Sequence, residues 1–153
     1  MNTNIKLNER IARLGAIPPA STAAGTVLAA AGAVNWFPLA NFHSVAAFLN
    51  IGAMSAGSTI DAKLRQAQDA TGTGAKDITG KAISQVLAAA GSNTLVSIEA
   101  RGDDLDVNNG FGFVALSVTV GTAASLLSAE LFGNSARYAP ASAFNPAAVT
   151  QTV

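Results

Sequence analysis

The stretch TIDAKLRQAQ, residues 59–68, has the most regular alternation in the chain. Ile60, Ala62 and Leu64 fall on one side of it, and threonine or charged residues stand between them. Successive side chains of a β-strand point to opposite faces, so this period of two indicates a strand with one buried and one hydrated face. A helix is the rival interpretation, because Ala, Lys, Leu, Arg and Gln are good helix formers. The flanking glycines and the strict alternation favour the strand.

Further strand patterns lie on both sides of this stretch. They are separated by turn signals such as Asn109-Gly110. Short strands without regular helices between them predict an all-β fold, an antiparallel two-sheet β-sandwich of the jelly-roll or immunoglobulin-like type. Residues 82–90 stay open between helix and strand, because propensity favours a helix and context favours a strand. The other predicted strands cover residues 26–28, 36–39, 44–51, 94–101, 111–120 and 124–132.

The two ends of the chain are predicted to be arms. We place an N-terminal arm at residues 1–24, the sandwich domain at residues 25–138 and a C-terminal arm at residues 139–153. Two prolines, Pro140 and Pro146, make the C-terminal arm extended rather than helical.

The N-terminal arm has the pattern of a short helix. Leu7, Ile11 and Leu14 are spaced as on one helical face, and Pro18-Pro19 would end that helix. About three turns are marginal in isolation. We therefore expect the segment either to fray or to become ordered on a partner subunit.

Ionic groups are few and unevenly placed. Charged residues make up 12% of the chain, nine basic and nine acidic, and none occurs from Leu14 to Ile60. A typical domain has about 25%. The balanced charge gives no general attraction to nucleic acid or to an anionic membrane, so we expect neither as a partner. A surface so poor in charge indicates that other protein covers part of it.

A membrane span and a secretory signal are both disfavoured. A spanning helix needs about 20 mostly apolar residues in a row, and prolines, glycines and polar residues interrupt the uncharged stretch. Near the N-terminus, Glu9 lies among basic residues and Pro18-Pro19 interrupts the apolar run that a signal would need.

The residues that usually perform catalysis are scarce. The chain has no cysteine and a single histidine, His43, which excludes a thiolate nucleophile and a cysteine-ligated metal. His43 and Ser44 are neighbours in a predicted strand and would face opposite sides, and no Gly-x-Ser-x-Gly motif is present. We expect a non-enzymatic protein without a cofactor.

One acidic segment has some features of a calcium-binding loop. Asp104, Asp106 and Asn108 stand at alternate positions, as the first ligands of such a loop do. The glycine comes seventh instead of sixth, and Ala115 occupies the twelfth position, where a bidentate Glu belongs. We predict a solvated turn and no metal site.

The candidate contact residues for a partner lie in three places. Phe111 and Phe113 fall on the face of their strand opposite Val114 and Val118, so they need an arm or a partner to pack against. The predicted partner-binding residues are Lys6, Leu7, Arg10, Ile11, Arg13 and Leu14 in the N-terminal arm, Phe111 and Phe113 in the sandwich, and Phe144 in the C-terminal arm.

Several blocks of sequence resemble one family when they are taken together. They are GAM (52–54), GSTIDAKL (57–64), TGTGAKDI (71–78), LDVNNGF (105–111) and RY (137–138). In this order and spacing they resemble small virion structural proteins encoded in the head-gene region of tailed bacteriophages and related prophages, over about residues 40 to 140. The resemblance implies a β-sandwich that binds the capsid surface as a decoration or cement protein, often around a local threefold axis, and it carries no catalytic residues.

The function expected from the sequence is therefore structural. We expect a capsid decoration or cement protein that bridges major capsid protein subunits and stabilises the capsid. It would act as a homotrimer on the capsid exterior, after assembly in the host cytoplasm. The alternatives are a carbohydrate-binding head appendage, a tail or head-tail structural component, and, as a third class, a small hydrolase centred on His43.

Overall fold

The computed structural model describes residues 4–152, and ten β-strands account for most of them. Two short helices are α1 (Leu7–Arg10) and α2 (Ala88–Gly91), and single 3-10 turns cover Leu39–Asn41, Gly102–Asp104, Val107–Asn109 and Ala141–Phe144. The strands are β1 (Ile11–Thr22), β2 (Gly25–Leu28), β3 (Phe37–Pro38), β4 (Phe42–Met54), β5 (Thr59–Ala67), β6 (Lys76–Ala82), β7 (Val86–Leu87), β8 (Thr94–Arg101), β9 (Phe113–Gly121) and β10 (Ser125–Ala136).

The strands form two antiparallel sheets that face each other. Sheet A has the order β1-β10-β4-β8 and sheet B the order β2-β9-β5-β6, while the two-residue strands β3 and β7 pair with β9 and β5. Among the eight longer strands, every consecutive pair except β5–β6 crosses from one sheet to the other. This order is that of a jelly roll. The prediction of an antiparallel two-sheet sandwich is confirmed, and the topology selects the jelly roll over the immunoglobulin-like alternative.

Alternating residues of both sheets fill the space between them. In β5 the buried residues are Ile60, Ala62 and Leu64, as the period of two predicts, and the intervening side chains are partly exposed. In the antiparallel register Ile60 lies opposite Val120 and Leu64 opposite Leu116, both of which are also buried. Each large apolar side chain buried in this way contributes about 1.5–3 kcal/mol to stability.

A second, smaller apolar cluster covers the outer face of sheet B. Trp36 packs there with Ala67 and Ala115, and Phe113 packs against this cluster. The outer face of the strand containing Phe113 was expected to need an arm or a partner subunit. The structure provides part of that cover from the chain itself, through the segment that precedes β3.

The predicted N-terminal helix is wrong beyond Arg10. Residues Ile11–Thr22 form β1, the edge strand of sheet A, antiparallel to β10. Leu14 is only 6% exposed and belongs to the core. Pairing with β10 is irregular between Ile17 and Ala20, so Pro18 and Pro19 fall where an edge strand tolerates residues without an amide donor. Most of the predicted arm thus belongs to the sandwich, and residues 1–3 lie outside the described range.

The predicted extended C-terminal arm also differs from the structure. Its first part is the 3-10 turn Ala141–Phe144, which packs on β1, α1 and β10. The rings of Phe144 and Phe42 are in edge-to-face contact, with centroids 5.4 Å apart, and Ala141 is fully buried. Apolar burial therefore folds this segment back onto the sandwich, although no helix longer than a turn forms there.

Residues 82–90, for which the sequence left helix and strand open, contain both. Ala82 ends β6, Val86 and Leu87 form β7, and α2 begins at Ala88. Within residues 4–152, no helix has the length and apolar character needed to cross a membrane.

Candidate docking surfaces

The two termini come together beside β1. α1 lies against the turn Ala141–Phe144, and a groove of about 600 Å³ runs between α1 and the C-terminal residues. Its walls include Leu7, Ile11, Phe132 and Asn145, and we call it the terminal groove. The structure therefore brings Leu7 and Ile11 of the predicted contact set close to the turn that ends in Phe144.

Three members of the predicted contact set are exposed on or next to α1. The Leu7 side chain is 68% exposed, and Lys6 and Arg10 are also exposed. Across the described part of the chain, neither cation makes an ion pair. An exposed apolar side chain flanked by cations without ion-pair partners suits contact with a partner surface that carries acidic groups.

Arg13, in contrast, makes contacts within its own chain. Its guanidinium is 2.7 Å from Glu130 Oε1 and lies over the ring of Phe132, and its backbone amide donates to Asn145 Oδ1 at 2.9 Å. The ion pair is largely exposed, so it contributes at most about 1 kcal/mol. Arg13 therefore joins β1 to β10 and to the C-terminal segment.

The aromatic members of the contact set are mostly occupied within the chain. Phe111 is buried, with the Lys76 ammonium 4.1 Å from its ring centre. Phe113 packs in the Trp36 cluster and Phe144 packs on Phe42. Phe113 lies on sheet B, and Phe111 precedes it. Leu14 and the three phenylalanines therefore pack against residues of their own chain. Partner binding through the exposed members of the set stays a prediction.

The charged side chains of sheet B form ion pairs, except Asp61, which accepts a hydrogen bond from the Gln85 side chain at 2.8 Å. Asp77 binds both Lys63, at 2.7 Å, and Arg65, at 3.1 Å. Hydrogen bonds from Lys63 and the two cations nearby lower the pKa of Asp77. This face consequently presents mostly paired ions rather than a charged site. The other ion pairs at this side are Lys76 with Asp106 and Lys81 with Asp104.

The two aspartates of the predicted turn face different lysines and do not converge. The backbone amide of Arg101 donates a hydrogen bond to Asp104, and this bond lowers the pKa of Asp104. A hydrogen bond from the Lys81 ammonium lowers it further. Hydrogen bonds from Lys76 and Asn109 lower the pKa of Asp106. Over residues 4–152, no group of three or more His, Asp or Glu side chains is placed to hold a metal ion.

His43 and Ser44 do not form a nucleophile–base pair in the structure. His43 is exposed, and the Ser44 hydroxyl accepts a hydrogen bond from the Asn134 side-chain amide at 3.2 Å. That bond links the adjacent strands β4 and β10, which gives Ser44 a structural partner.

The four connections at one end of the sandwich contain no ionisable side chain. They cover residues 22–25, 54–59, 83–94 and 121–125, and none of them has an Asp, Glu, Lys, Arg or His. Hydrogen bonds tie these connections together. The backbone amide of Ala88 donates to the Ser58 carbonyl at 3.1 Å, and that of Met54 donates to the Ser92 hydroxyl at 3.3 Å. We call this surface the uncharged end.

Exposed apolar side chains extend the uncharged end onto sheet A. Leu87 and Leu126 are about half exposed, and Leu95, on the edge strand β8, is 79% exposed. Phe48 lies further along the same outer face and contacts Phe132 edge to face. No strand in the described chain pairs with the free edge of β8. Exposed apolar patches of this kind commonly mark protein contacts.

The uncharged end was not predicted as a site, although its signals are present in the sequence. The uncharged stretch from Leu14 to Ile60 contributes two of its four connections. The other two come from distant parts of the chain. They could be grouped with the first two only after the strand order was known.

Comparisons with known proteins assign no family. No protein-family model and no curated protein matches the chain. A chain of the cowpea mosaic virus top component is 8% identical, covers 86% of this chain and 92% of its own length, and has a TM-score of 0.42. A broad bean stain virus chain is 12% identical, with coverages of 91% and 92% and a TM-score of 0.42. A Bacillus endospore appendage chain is 14% identical, with coverages of 88% and 98% and a TM-score of 0.36.

Likenesses at these identities and TM-scores carry no function across. The structure by itself defines a jelly-roll domain with an uncharged end, a sheet B face of mostly paired ions, and a groove between its two termini.

Proposed function

We propose that the protein is a non-enzymatic structural component of a tailed-phage virion. It acts as a decoration or cement protein that binds and bridges major capsid protein subunits on the outside of the head and thereby stabilises the capsid. It assembles in the host cytoplasm as a homotrimer. The proposal joins the sequence blocks that resemble virion proteins to a surface suited to burial by other protein.

The observation that carries the proposal is the small number of ionic groups on this surface. Charged residues make up 12% of the chain, about half the typical share, and apolar side chains such as Leu87 and Leu126 are exposed at the uncharged end. A soluble domain usually keeps its surface hydrated with charged side chains, so this surface is suited to burial by other protein.

The terminal groove is the surface that we assign to the capsid. Leu7 provides an exposed apolar contact in its wall, and Lys6 and Arg10, beside the groove on or next to α1, have charge available for acidic groups of a partner. Contacts of this size are weak individually. In a trimer, three such contacts act together. Once one copy is bound, the effective concentration of the other two binding sites is raised, so the trimer is held firmly.

The carbohydrate-binding alternative has less support. Sugar-binding sites commonly use exposed aromatic rings as platforms, and the single tryptophan, Trp36, is only 5% exposed. Tyr138 is exposed, but none of the side-chain hydrogen bonds of the described residues involves it.

The test is binding to heads assembled from the major capsid protein encoded in the same genome. We expect the chain to co-sediment with these heads in a fixed ratio and to raise the temperature at which they burst. Deletion of residues 1–10 removes α1, which has no buried residue. This deletion should reduce occupancy and leave the sandwich folded.

A matched pair of charge reversals separates the terminal groove from general electrostatics. Arg10→Glu alters α1 beside the groove, whereas Arg137→Glu alters another exposed arginine that makes no ion pair among the described residues. We expect only Arg10→Glu to weaken binding to heads. If the unmodified chain remains at the top of the gradient while the heads sediment, the proposed function is wrong.

A further inference from the structure

We infer that the uncharged end is the surface through which copies of this chain contact one another around a rotation axis. This inference deepens the self-association in the proposed function, and it does not depend on capsid binding. The proposed occupant of the uncharged end is a second copy of the same end.

Symmetry provides the first reason. In a closed rotational assembly, residues near the axis meet the same residues of the neighbouring copies. An ionic side chain at that place would therefore face its own sign of charge, which is unfavourable. The four connections of the uncharged end contain no ionisable side chain, so identical copies can approach through them without this repulsion. The carboxylate of Asp61, which accepts a hydrogen bond from the Gln85 side chain at 2.8 Å, belongs to the outer face of β5 and not to these connections. A surface for a different partner would instead be expected to carry complementary charge.

The opposite end shows the contrast. Its connections at residues 68–75 and 102–112 carry Asp69, Asp103, Asp104 and Asp106. Asp103 makes no ion pair in the described part of the chain. Asp104 and Asp106 are paired with Lys81 and Lys76, whereas Asp69, like Asp103, has no cation partner among the described residues. Copies that met through this end would bring these two carboxylates close to their counterparts. Charge therefore selects one end of the jelly roll for self-contact and disfavours the other.

Apolar burial provides the second reason. Leu87 and Leu126 stand at the uncharged end with about half of their side-chain surface exposed, and Ala24, Ala56 and Ala89 are exposed on three of its four connections. Small side chains allow the backbones of neighbouring copies to approach closely, and the leucines supply apolar area at about 25 cal/mol per Å².

The direct test is the oligomeric state of the full chain, measured by sedimentation equilibrium. We expect the unmodified protein to have a multiple of the 15.3 kDa mass. Leu87→Asp combined with Leu126→Asp places like charges on neighbouring copies and should shift the protein to monomer. Val107→Asp is the matched control, because Val107 is 63% exposed at the opposite end, and it should leave the mass unchanged.

Cysteine crosslinking keeps the inference testable if the double variant folds poorly. The chain has no cysteine, so a single introduced thiol can form a disulfide only with another copy. Ala24→Cys, Ala56→Cys and Ala89→Cys sample three connections of the uncharged end, and Val107→Cys is the control. We expect at least one of the three to crosslink rapidly in dilute solution and the control to crosslink slowly.

The failing outcomes are distinct from failure of the proposed function. A monomeric unmodified protein, an oligomer that persists in the Leu87→Asp/Leu126→Asp variant, or faster crosslinking at Val107→Cys than at all three alanine positions would each overturn the inference. None of these results requires heads, and binding to heads is measured in separate gradients. An oligomer that ignores the heads would instead refute the proposed function and leave the self-contact standing.

Discussion

The side-chain oxygens of Ser58 and Ser125 lie 2.7 Å apart, and each serine is 1% exposed. Ser58 comes directly before β5 of sheet B, and Ser125 is the first residue of β10 of sheet A. Their hydrogen bond therefore joins the two sheets at the uncharged end. Buried hydroxyl groups are nearly always paired in folded proteins, and here each serine is the partner of the other.

Replacing both serines should cost less stability than the sum of the two single replacements. Ser58→Ala leaves the Ser125 hydroxyl buried without its partner, which costs about 1–3 kcal/mol. The double variant Ser58→Ala/Ser125→Ala loses the same hydrogen bond but leaves no unpaired hydroxyl. We therefore expect its loss to be smaller than the sum of the single losses, as measured by urea unfolding.

The control for this prediction is Ser84→Ala, a change at an exposed serine of the same end. It should change the free energy of unfolding by less than about 0.5 kcal/mol. Strictly additive losses in the double variant would show that the two hydroxyls do not interact.

Gly133 should not tolerate a methyl group. A Cβ at this position would lie 2.7 Å from three carbon atoms of the Phe42 ring, and Phe42 is itself held against Phe144. Overpacking in a core of this kind costs about 1–3 kcal/mol. We expect Gly133→Ala to lower the unfolding midpoint by a corresponding amount in thermal denaturation. At Gly112, a Cβ would meet no atom within 4 Å, so Gly112→Ala should be nearly neutral, and equal losses would refute the packing argument.

Leu14 and Leu7 should respond oppositely to truncation, although the sequence placed them on one helical face. Leu14 is buried in β1, so Leu14→Ala should cost about 2–5 kcal/mol. Leu7 is 68% exposed on α1, so Leu7→Ala should change stability by no more than about 0.5 kcal/mol. Urea unfolding of the two variants measures this difference. Similar losses would mean that residues 7–14 pack as a single unit, as the helix prediction had it.

The strands with one buried face were predictable because their pattern is local. In β5 and β8, alternate residues face the core, and the period of two is visible in the sequence. The N-terminal segment misled the prediction because Leu7, Ile11 and Leu14 fit a helical spacing. Tertiary pairing of β1 with β10, more than a hundred residues away, decided the outcome.

The candidate surfaces were harder to predict because they depend on strand order. The exposed position of Leu95 follows from alternation in β8. That Leu95, Leu126 and Leu87 stand at or beside the same end of the sandwich follows only from the jelly-roll topology. Likewise, the packing of Phe111 and Phe113 against residues of their own chain depends on where the segment before β3 crosses sheet B.

Acidification should destabilise the protein through its paired carboxylates. A carboxyl group whose pKa is lower in the folded state contributes stability above its unfolded pKa, near pH 4, and loses it as the pH falls through the folded value. We expect the thermal midpoint to fall progressively below about pH 4 and to be flat from there to neutrality. High salt should reduce the effect, since these pairs are exposed. The carboxyl groups concerned include Asp77, Asp104 and Asp106.

Asp69 should account for part of this acid dependence without any cation. Its side chain accepts hydrogen bonds from the Thr71 hydroxyl at 2.7 Å and from the backbone amides of Thr71 and Thr73, at 2.8 and 3.1 Å. Hydrogen bonds from Thr73 and Thr71 hold the pKa of Asp69 well below its usual range. Asp69→Asn removes the charge that these donors stabilise. We therefore expect the variant to be less stable at neutral pH and to lose less stability between pH 4 and pH 2. Asp103→Asn is the control at another exposed aspartate of the same end. If Asp69→Asn keeps the full acid dependence of the unmodified chain, the turn does not stabilise the ionised carboxylate.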